Sequence, residues 1–504
     1  MPDLTFALVL ALCFPATARA DYKDDIGYID LVAWAAENNI TLPTGASVSL
    51  AMAEAGANSN PPSSYRPDVP GVNIVDKSGG TGTSGHATTV ANIFFGNNSI
   101  LTGVTTADSH EANAWLTRIL YRAYASSPAG KAQYAETADV VNHSWVAAWG
   151  SGANQLTPDE ARALNALVDY SIYQDRYVAV VGVNNGYNTD QTAASHAPLL
   201  SSAYNVISVG MTNGNHDNGV SDLTGVPYPH IVAPATATSY ATPMVSAAVA
   251  LLIETARTGG TGGTAISGNG DLPEVVKTIL LAGATKTEFA NWSAGVTETA
   301  PLNARYGAGE LNVFKSYLIM TGGEQTARTS AAFALANPVV DTGWDYATTN
   351  KNSGGIKNFF YSFTVAENMQ ADVSIALTWN VDYAITVTPT GQGDANIAYQ
   401  LATPLADFSL YFYRVEENDT LTLIAQSLAT GGNIEYLWET GLFSGDYLIQ
   451  TSTGSANASY ALAWQTTLTP LLVSVPVPEP ETLALFIALV ALFLSIARNF
   501  WRRA

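Results

Sequence analysis

Short, almost uninterrupted apolar runs alternate with helical patterns over residues 21–320. Residues 178–183 are the clearest run, and residues 204–209 form the next one. A capping box at 157–160, Thr-Pro-Asp-Glu, starts the helix that precedes the first run. Strands that lack polar alternation are buried on both faces, so they form a parallel sheet covered by helices on both sides. The sequence therefore predicts an α/β domain with a doubly wound parallel sheet.

A hydroxyl stands at the start of the most apolar predicted helix. Residues 237–243 read Ala-Thr-Ser-Tyr-Ala-Thr-Pro, and an apolar run continues to residue 253. We expect Pro243 in the first turn of this helix, where its missing N–H costs nothing. The helix dipole favours negative charge developing near Ser239. Taken alone, the pattern fits a nucleophile and an ordinary Ser/Thr N-cap on a core helix equally well.

These residues resemble the serine block of subtilisin-like serine proteases (subtilases), Gly-Thr-Ser-Met-Ala-Thr/Ser-Pro. Ala237 replaces the first glycine, and an Ala-Pro turn stands before the block at 233–234. Residues 85–92, Gly-His-Ala-Thr-Thr-Val-Ala-Asn, resemble the family's histidine block. The resemblance covers roughly residues 40–320 and implies a subtilisin-like fold that hydrolyses peptide bonds through an acyl-enzyme. It implies Ser239 as nucleophile and His86 as general base and acid.

The acid block departs from the family pattern, in which a core strand ends in aspartate. Here the strand predicted at 47–53 ends in Glu54, 32 residues before His86, which matches the acid-to-base separation in subtilisin. A carboxylate one methylene longer can serve if the backbone retreats slightly. The expected triad is therefore Glu54, His86 and Ser239. Two alternatives stay open: Glu54 is a solvated strand-end carboxylate, or Asp76, in an Asp-x-x-Gly pattern, is the acid.

The family's oxyanion and pocket residues have counterparts after the apolar run at 178–183. Asn184 aligns with the subtilase oxyanion-hole amide, although Asn-Asn-Gly is also an ordinary strand-ending turn. Gly182 and Val183 align with the wall of the pocket that receives the residue before the scissile bond. Val183 stands where the family has glycine, so we expect it to crowd that pocket.

A peptide-binding edge is the last element of the resemblance. Residues 142–145, Asn-His-Ser-Trp, align with the family's Asn-x-Ser-Leu-Gly segment. The stretch from Trp145 to Gly150 is therefore expected to hold an extended substrate by backbone pairing, with Ser144 and Trp145 among the substrate-binding residues. We interpret His143 as a surface-loop residue.

From about residue 325 the pattern changes to short strands separated by turns, and strands are predicted at 359–365, 371–377, 408–415 and 446–451. Residues 407–413 and 442–449 resemble the pre-peptidase C-terminal domains that accompany secreted proteases. An antiparallel β-sandwich is predicted over 325–468, after a peptidase domain at 21–322. The sandwich would bind polysaccharide or space the peptidase from a membrane.

Both ends of the chain carry export and sorting patterns. Residues 1–20 form a signal peptide that ends in an Ala-x-Ala cleavage site. Within 469–504, a linker leads to Pro-Glu-Pro at 478–480, an apolar segment at 482–497 and a basic tail. This order resembles the PEP-CTERM sorting signal of Gram-negative bacteria. It implies an exosortase-like membrane transpeptidase as partner, transient anchoring in the inner membrane, and a cell-surface or extracellular-matrix location. A plain C-terminal anchor is the alternative.

Composition fits an exported protein. The net charge of −21 argues against nucleic acid as a partner, because nothing here neutralises many phosphates. The single cysteine lies in the leader, so the mature chain relies on its core or on bound ions, and structural calcium is one candidate. The sequence predicts a secreted serine endopeptidase with a polypeptide substrate. Its rival is a catalytically degraded subtilase-fold protein that binds extracellular matrix or polysaccharide, favoured by departures at Glu54, Ala87, Val183 and Ala237.

Overall fold

The computed structural model describes residues 21–56, 64–123, 134–147, 156–186, 199–260, 265–266, 268–349, 355–389 and 395–471. The predicted signal peptide and the predicted C-terminal membrane segment lie outside these residues. The helices are α1 Tyr22–Asp25, α2 Tyr28–Glu37, α3 Gly85–Phe94, α4 Ala112–Arg122, α5 Pro158–Asp175, α6 Thr238–Thr258, α7 Pro273–Gly283, α8 Val313–Gly322 and α9 Ala331–Ala336.

The strands divide between the two halves of the chain. The first half holds β1 Leu50–Glu54, β2 Asn73–Asp76, β3 Thr106–Glu111, β4 Val140–His143, β5 Val178–Gly182, β6 Ile207–Met211, β7 Gly219–Val220, β8 Pro227–Tyr228 and β9 Ile231–Ala233. The second half holds β10 Gly343–Thr348, β11 Lys357–Thr378, β12 Tyr383–Pro389, β13 Ala395–Leu401, β14 Phe408–Val415, β15 Leu421–Ser427, β16 Ile434–Thr453 and β17 Ser459–Pro470.

The predicted parallel sheet is confirmed. Seven strands follow the order β2-β3-β1-β4-β5-β6-β9, and every pair of neighbours is parallel. Strand β1 lies between β3 and β4: the chain runs from β1 to the edge strand β2, returns inward to β3, and then crosses to the other side of β1 at β4. In such sheets, ligands bind beyond the carboxyl ends of the strands at the point where the order reverses. Glu54 is the last residue of β1.

Helices cover both faces of this sheet, as the continuous apolar runs require. Met52, Val140 and Val180 pack on one side with the apolar faces of α3 and α6. Ala53, Val141 and other alternate strand residues pack on the other side with α4 and α5. Successive strand side chains point to opposite faces, so both sides of each strand need apolar residues. This burial explains why the runs lack polar alternation.

Helix α6 crosses the interior of the domain. It is the one helix of the described residues that is long and apolar enough to span a membrane, but most of it is buried inside the protein. Core helices of soluble domains have the same composition, and its neighbours α3, β4, β5 and β6 pack along it. The apolar character of α6 is therefore explained by the core.

The expected position of Pro243 is wrong. Helix α6 begins at Thr238, which makes Pro243 its sixth residue and places it in the second turn. A proline there cannot donate to the carbonyl four residues earlier, which belongs to Ser239. The helix starts early because Ala237 serves as N-cap without a side-chain hydrogen bond. Groups from other segments must therefore complete the first turn.

The second half is antiparallel, as predicted, but its strands are longer than expected. Six strands form one sheet in the order β10-β17-β11-β16-β14-β15, and β12 and β13 form a separate ribbon. Two strands predicted at 359–365 and 371–377 are one strand, β11, with a register shift between Val365 and Gln370. Both parts of β11 contribute to a single core. A bulge allows one strand to continue through such a register shift.

The two halves share a buried boundary. Helix α7 packs against β11 and β17, and one apolar core includes residues from both halves. Lys277 on α7 donates to the carbonyl of Tyr204 at 2.9 Å, and Asn433 donates to the same oxygen at 3.0 Å. Burial lowers the pKa of Lys277 to about 7. A buried amine costs free energy unless it is hydrogen-bonded, so Lys277 needs this carbonyl as its partner. The β-rich half is thus fixed to the parallel-sheet domain.

Candidate active site

The structure brings Glu54 and His86 together at the carboxyl end of β1. His86 is the second residue of α3, whose N-cap Ser84 accepts from the Ala87 N–H. The Nδ1 atom of His86 lies 2.9 Å from Oε2 of Glu54. The Glu54 side chain is 4% exposed and that of His86 is 42% exposed. An acid buried behind a histidine that itself reaches solvent is the arrangement that acid–base catalysis needs.

The pKa values of both members of the pair are raised. The hydrogen bond that His86 donates to Glu54 raises the pKa of His86, and partial burial of the ring opposes this. Burial raises the pKa of Glu54, and the bond to His86 works in the other direction. The second carboxylate oxygen, Oε1, is buried and has no hydrogen-bond partner among the described residues. His86 is therefore the one group there that holds this carboxylate in place.

The rival acid, Asp76, lies elsewhere. It ends the edge strand β2, where it accepts hydrogen bonds from the hydroxyl of Tyr65 and from the backbone N–H of Ser78. These bonds, with the Gly79 N–H, outweigh its partial burial and lower its pKa. Its partners are those of a carboxylate that orders a turn, and His86 is not among them.

Ser239 lies in the first turn of α6, and the residue that follows it is close to the histidine. The ring of Tyr240, the following residue, is 5.9 Å from the His86 ring, measured between centroids. Within the described residues, no hydrogen bond joins the Ser239 hydroxyl to His86. Such bonds are often long in free enzymes and tighten when substrate binds. The serine thus lies at a helix N-terminus, where the dipole stabilises developing negative charge.

The loop after β5 holds the start of α6. The Thr238 backbone N–H donates to Oδ1 of Asn185 at 2.8 Å, and the Thr238 hydroxyl donates to the carbonyl of Val183 at 2.6 Å. Asn185 therefore caps the helix that Ala237 cannot cap. This role of Asn185 was not predicted from the sequence. The signal for it was an apolar N-cap residue, since a helix start without its own cap needs a partner from another segment.

Two donors of the predicted oxyanion hole have no partner among the described residues. The backbone N–H of Ser239 and the side-chain amide of Asn184 make no hydrogen bond within the described part of the chain. Asn184 is half-buried, and its carbonyl accepts from the Asp217 N–H at 3.0 Å, which fixes its backbone. A helix N-terminal N–H together with a fixed amide is the donor set of an oxyanion hole.

The predicted pocket residues are more buried than expected. A Cβ added at Gly182 would lie 2.8 Å from the Thr242 hydroxyl, so β5 and α6 touch at this glycine. The Val183 side chain is fully buried and packs against Tyr228. That Val183 crowds a substrate pocket stays a prediction. In the structure its side chain contacts Tyr228.

The aligned segment at 142–145 is also buried, whereas Val146, in the predicted peptide-binding stretch 145–150, is 46% exposed, and residues 148–150 lie outside the described residues. The interpretation of His143 as a surface-loop residue is wrong: it ends β4, is completely buried and lies 4.4 Å from the Trp115 ring. Trp145 is 8% exposed and contacts the His143 ring. Any pairing of Trp145 with substrate would therefore use its backbone. Ser144 is buried as well, and its hydroxyl donates to the Ser239 carbonyl at 2.9 Å.

Metal binding has no separate centre here. Among the described residues, no group of three or more His, Cys, Asp or Glu side chains converges to hold an ion. Structural calcium stays a prediction.

Comparison with known proteins gives weak matches only. No protein-family model matches the sequence, and no curated protein matches it. Similar solved structures include a protease from Pseudoalteromonas arctica, with 16% identity, a TM-score of 0.36, and coverage of 60% of this chain and 96% of that one. Tripeptidyl peptidase 2 matches at 14% identity and a TM-score of 0.32, over 79% of this chain and 41% of that one. At these TM-scores the similarities assign no function to this chain.

Proposed function

We propose that this protein is a subtilisin-like serine endopeptidase with a Glu-His-Ser triad. One observation carries the proposal: a buried glutamate at the end of a central parallel strand accepts a hydrogen bond from a half-exposed histidine, whose ring lies 5.9 Å from that of Tyr240, the residue after Ser239. The burial and the hydrogen bond of this pair support the roles of acid and base. The solved protease structures are similar in part, and the serine-type assignment comes from the residues.

The proposed reaction proceeds in two halves. The Ser239 oxygen attacks the carbonyl carbon of the scissile peptide bond, and Nε2 of His86 takes the serine proton. Glu54 holds the Nδ1–H tautomer and stabilises the imidazolium. The new oxyanion accepts hydrogen bonds from the Asn184 amide and the Ser239 N–H. His86 then gives its proton to the leaving amine, and a water molecule repeats the sequence on the acyl-enzyme.

Caseinolysis by the mature chain tests the proposal. Wild type should release peptides from casein, and Ser239→Ala should release none above background. Ser293→Ala is a matched control, because this serine is exposed and its side chain makes no hydrogen bond in the described structure. Equal rates for wild type and Ser239→Ala, or no hydrolysis by either, would favour the binding protein that has lost catalysis.

Export and sorting are part of the same proposal. A signal peptide at 1–20 and a PEP-CTERM-like tail at 478–504 would carry the chain across the inner membrane and release it at the surface through an exosortase-like transpeptidase. Intact-mass measurement of the extracellular protein is the test. We expect the mature chain to lack roughly its last 25 residues. A chain that still ends in Ala504 at its final location would mean that the segment is an anchor.

A further inference from the structure

The carbonyl of Ser239 has lost its helical hydrogen bond. In an α-helix this oxygen accepts from the N–H four residues later, and here that residue is Pro243, which has no N–H. A buried carbonyl without a donor is costly, and it lies here on the candidate nucleophile. Some other donor must replace the missing one if the first turn is to keep a single conformation.

The hydroxyl of Ser144 is that replacement. It donates to the Ser239 carbonyl at 2.9 Å from a position just beyond β4, in another part of the sequence. The residue is buried, so water does not compete readily for this bond. Ser144 and Pro243 are therefore complementary: one supplies the donor that the other removes.

Two more residues orient the Ser144 hydroxyl. The Nδ2 group of Asn142 donates to Oγ of Ser144 at 3.0 Å, which leaves the Ser144 proton for Ser239. The hydroxyl of Ser246 donates to Oδ1 of Asn142 at 2.9 Å and shares its proton with the carbonyl of Thr242 at 3.1 Å. Asn142 and Ser246 are both completely buried. In this series of hydrogen bonds, each group donates to the next, from Ser246 through Asn142 and Ser144 to the Ser239 carbonyl. The series runs from the middle of α6 back to its first turn, so the bonds reinforce one another.

We infer that Ser144 is a positioning residue for Ser239, set by Asn142 and Ser246, and that its hydroxyl substitutes for the N–H that Pro243 lacks. This inference rests on the proposed function. It assigns to Ser144 a role beyond the substrate-binding edge, because the hydroxyl acts on the nucleophile's own backbone. A misplaced nucleophile costs rate even when substrate binding is intact, and a shift of about 1 Å costs on the order of 100-fold.

The test is a double-mutant cycle between Ser144→Ala and Pro243→Ala, read by the rate of covalent labelling with a fluorophosphonate probe. Ser144→Ala should label about 10 to 100 times more slowly than wild type. Pro243→Ala restores a backbone N–H in the right place, so adding Ser144→Ala to Pro243→Ala should change the rate by less than about threefold. If Ser144→Ala only removed substrate contacts, it would lower the labelling rate equally in wild type and in Pro243→Ala.

Ser246→Ala and Ser144→Thr extend the cycle. Ser246→Ala should weaken labelling less than Ser144→Ala does, because it loosens Asn142 without removing the final donor. Ser144→Thr keeps a hydroxyl and should recover part of the lost rate. Equal labelling of wild type and Ser144→Ala overturns the inference, and so does an equal loss in both backgrounds.

A second readout does not depend on activity. Hydrogen exchange in the peptide that spans the start of α6 should be faster in Ser144→Ala than in wild type, and slower again when Pro243→Ala is added. If wild type fails to label, the proposed function is wrong, and this exchange pattern still decides the inference. Unchanged exchange in Ser144→Ala would overturn it.

Discussion

Substitution of the triad acid gives the sharpest quantitative expectation. Glu54→Gln keeps the size of the side chain and replaces the carboxylate 2.9 Å from Nδ1 of His86 with a neutral amide. The amide stabilises no imidazolium, and its NH₂ group favours the wrong histidine tautomer. We expect kcat to fall on the order of 10⁴-fold, which corresponds to about 5.5 kcal/mol of transition-state stabilisation.

Glu54→Asp tests the length of the side chain. Shortening by one methylene withdraws the carboxylate by about 1.5 Å. The hydrogen bond to His86 would then stretch well beyond hydrogen-bonding range unless β1 moves. We expect a loss of about 100-fold in kcat, although aspartate is the usual acid of the family that the sequence resembles.

The pH profile separates a catalytic role of Glu54 from a structural one. Its hydrogen bond is the main cause that raises the pKa of His86, and burial of the ring acts in the opposite direction. Removing the carboxylate leaves burial alone, so the acid limb of kcat/KM should move to lower pH in Glu54→Gln. Hydrolysis of a chromogenic peptide across that limb measures both effects. Asp76→Asn is the matched control and should change neither. Full activity of Glu54→Gln, with loss in Asp76→Asn, would refute the assignment.

Three further changes test other parts of the site. Asn184→Ala should lower kcat about 10² to 10³-fold with little change in KM, because an oxyanion donor acts in the transition state; an unchanged kcat would remove it from the site. Gly182→Ala places a Cβ 2.8 Å from a hydroxyl of α6. We expect it to lower the free energy of unfolding, measured by urea titration, by about 1–3 kcal/mol. Gly454→Ala, in open space, should leave that free energy unchanged. Burial lowers the pKa of His143 to about 3. The unfolded chain therefore binds a proton there that the folded chain does not, and stability falls as the pH drops below about 6.5. In His143→Leu the free energy of unfolding should fall less steeply with decreasing pH, by about 1.4 kcal/mol per pH unit. An unchanged slope would contradict this.

The parallel sheet and the acid–base pair could be predicted from sequence because their signals are local. Continuous apolar runs reflect burial on both faces, and the structure places β5 at Val178–Gly182, within the predicted run. Glu54 and His86 each lie at the boundary of an element, at the strand end and helix start that topology brings to one edge of the sheet. Element boundaries of this kind are visible in a single sequence.

The rest depended on contacts between distant segments. Asn185 caps α6 from the loop after β5, and Ser144 donates to the Ser239 carbonyl, and no local pattern encodes either bond. His143 was misplaced because a histidine next to a strand end looks solvated, whereas its burial comes from Trp115 on α4. In the second half, a bulge joins two predicted strands into β11, and the alternation of side chains does not reveal that continuity.

Covalent labelling of Ser239 tests the central claim most directly. The mature wild-type protein, treated with a fluorophosphonate and digested, should yield one modified peptide, with the adduct on Ser239. His86→Ala should label very weakly, because the general base is gone, and Ser239→Ala should not label. A wild-type protein that stays unmodified under conditions that label an active serine protease, or one that carries the adduct on another residue, would contradict the account.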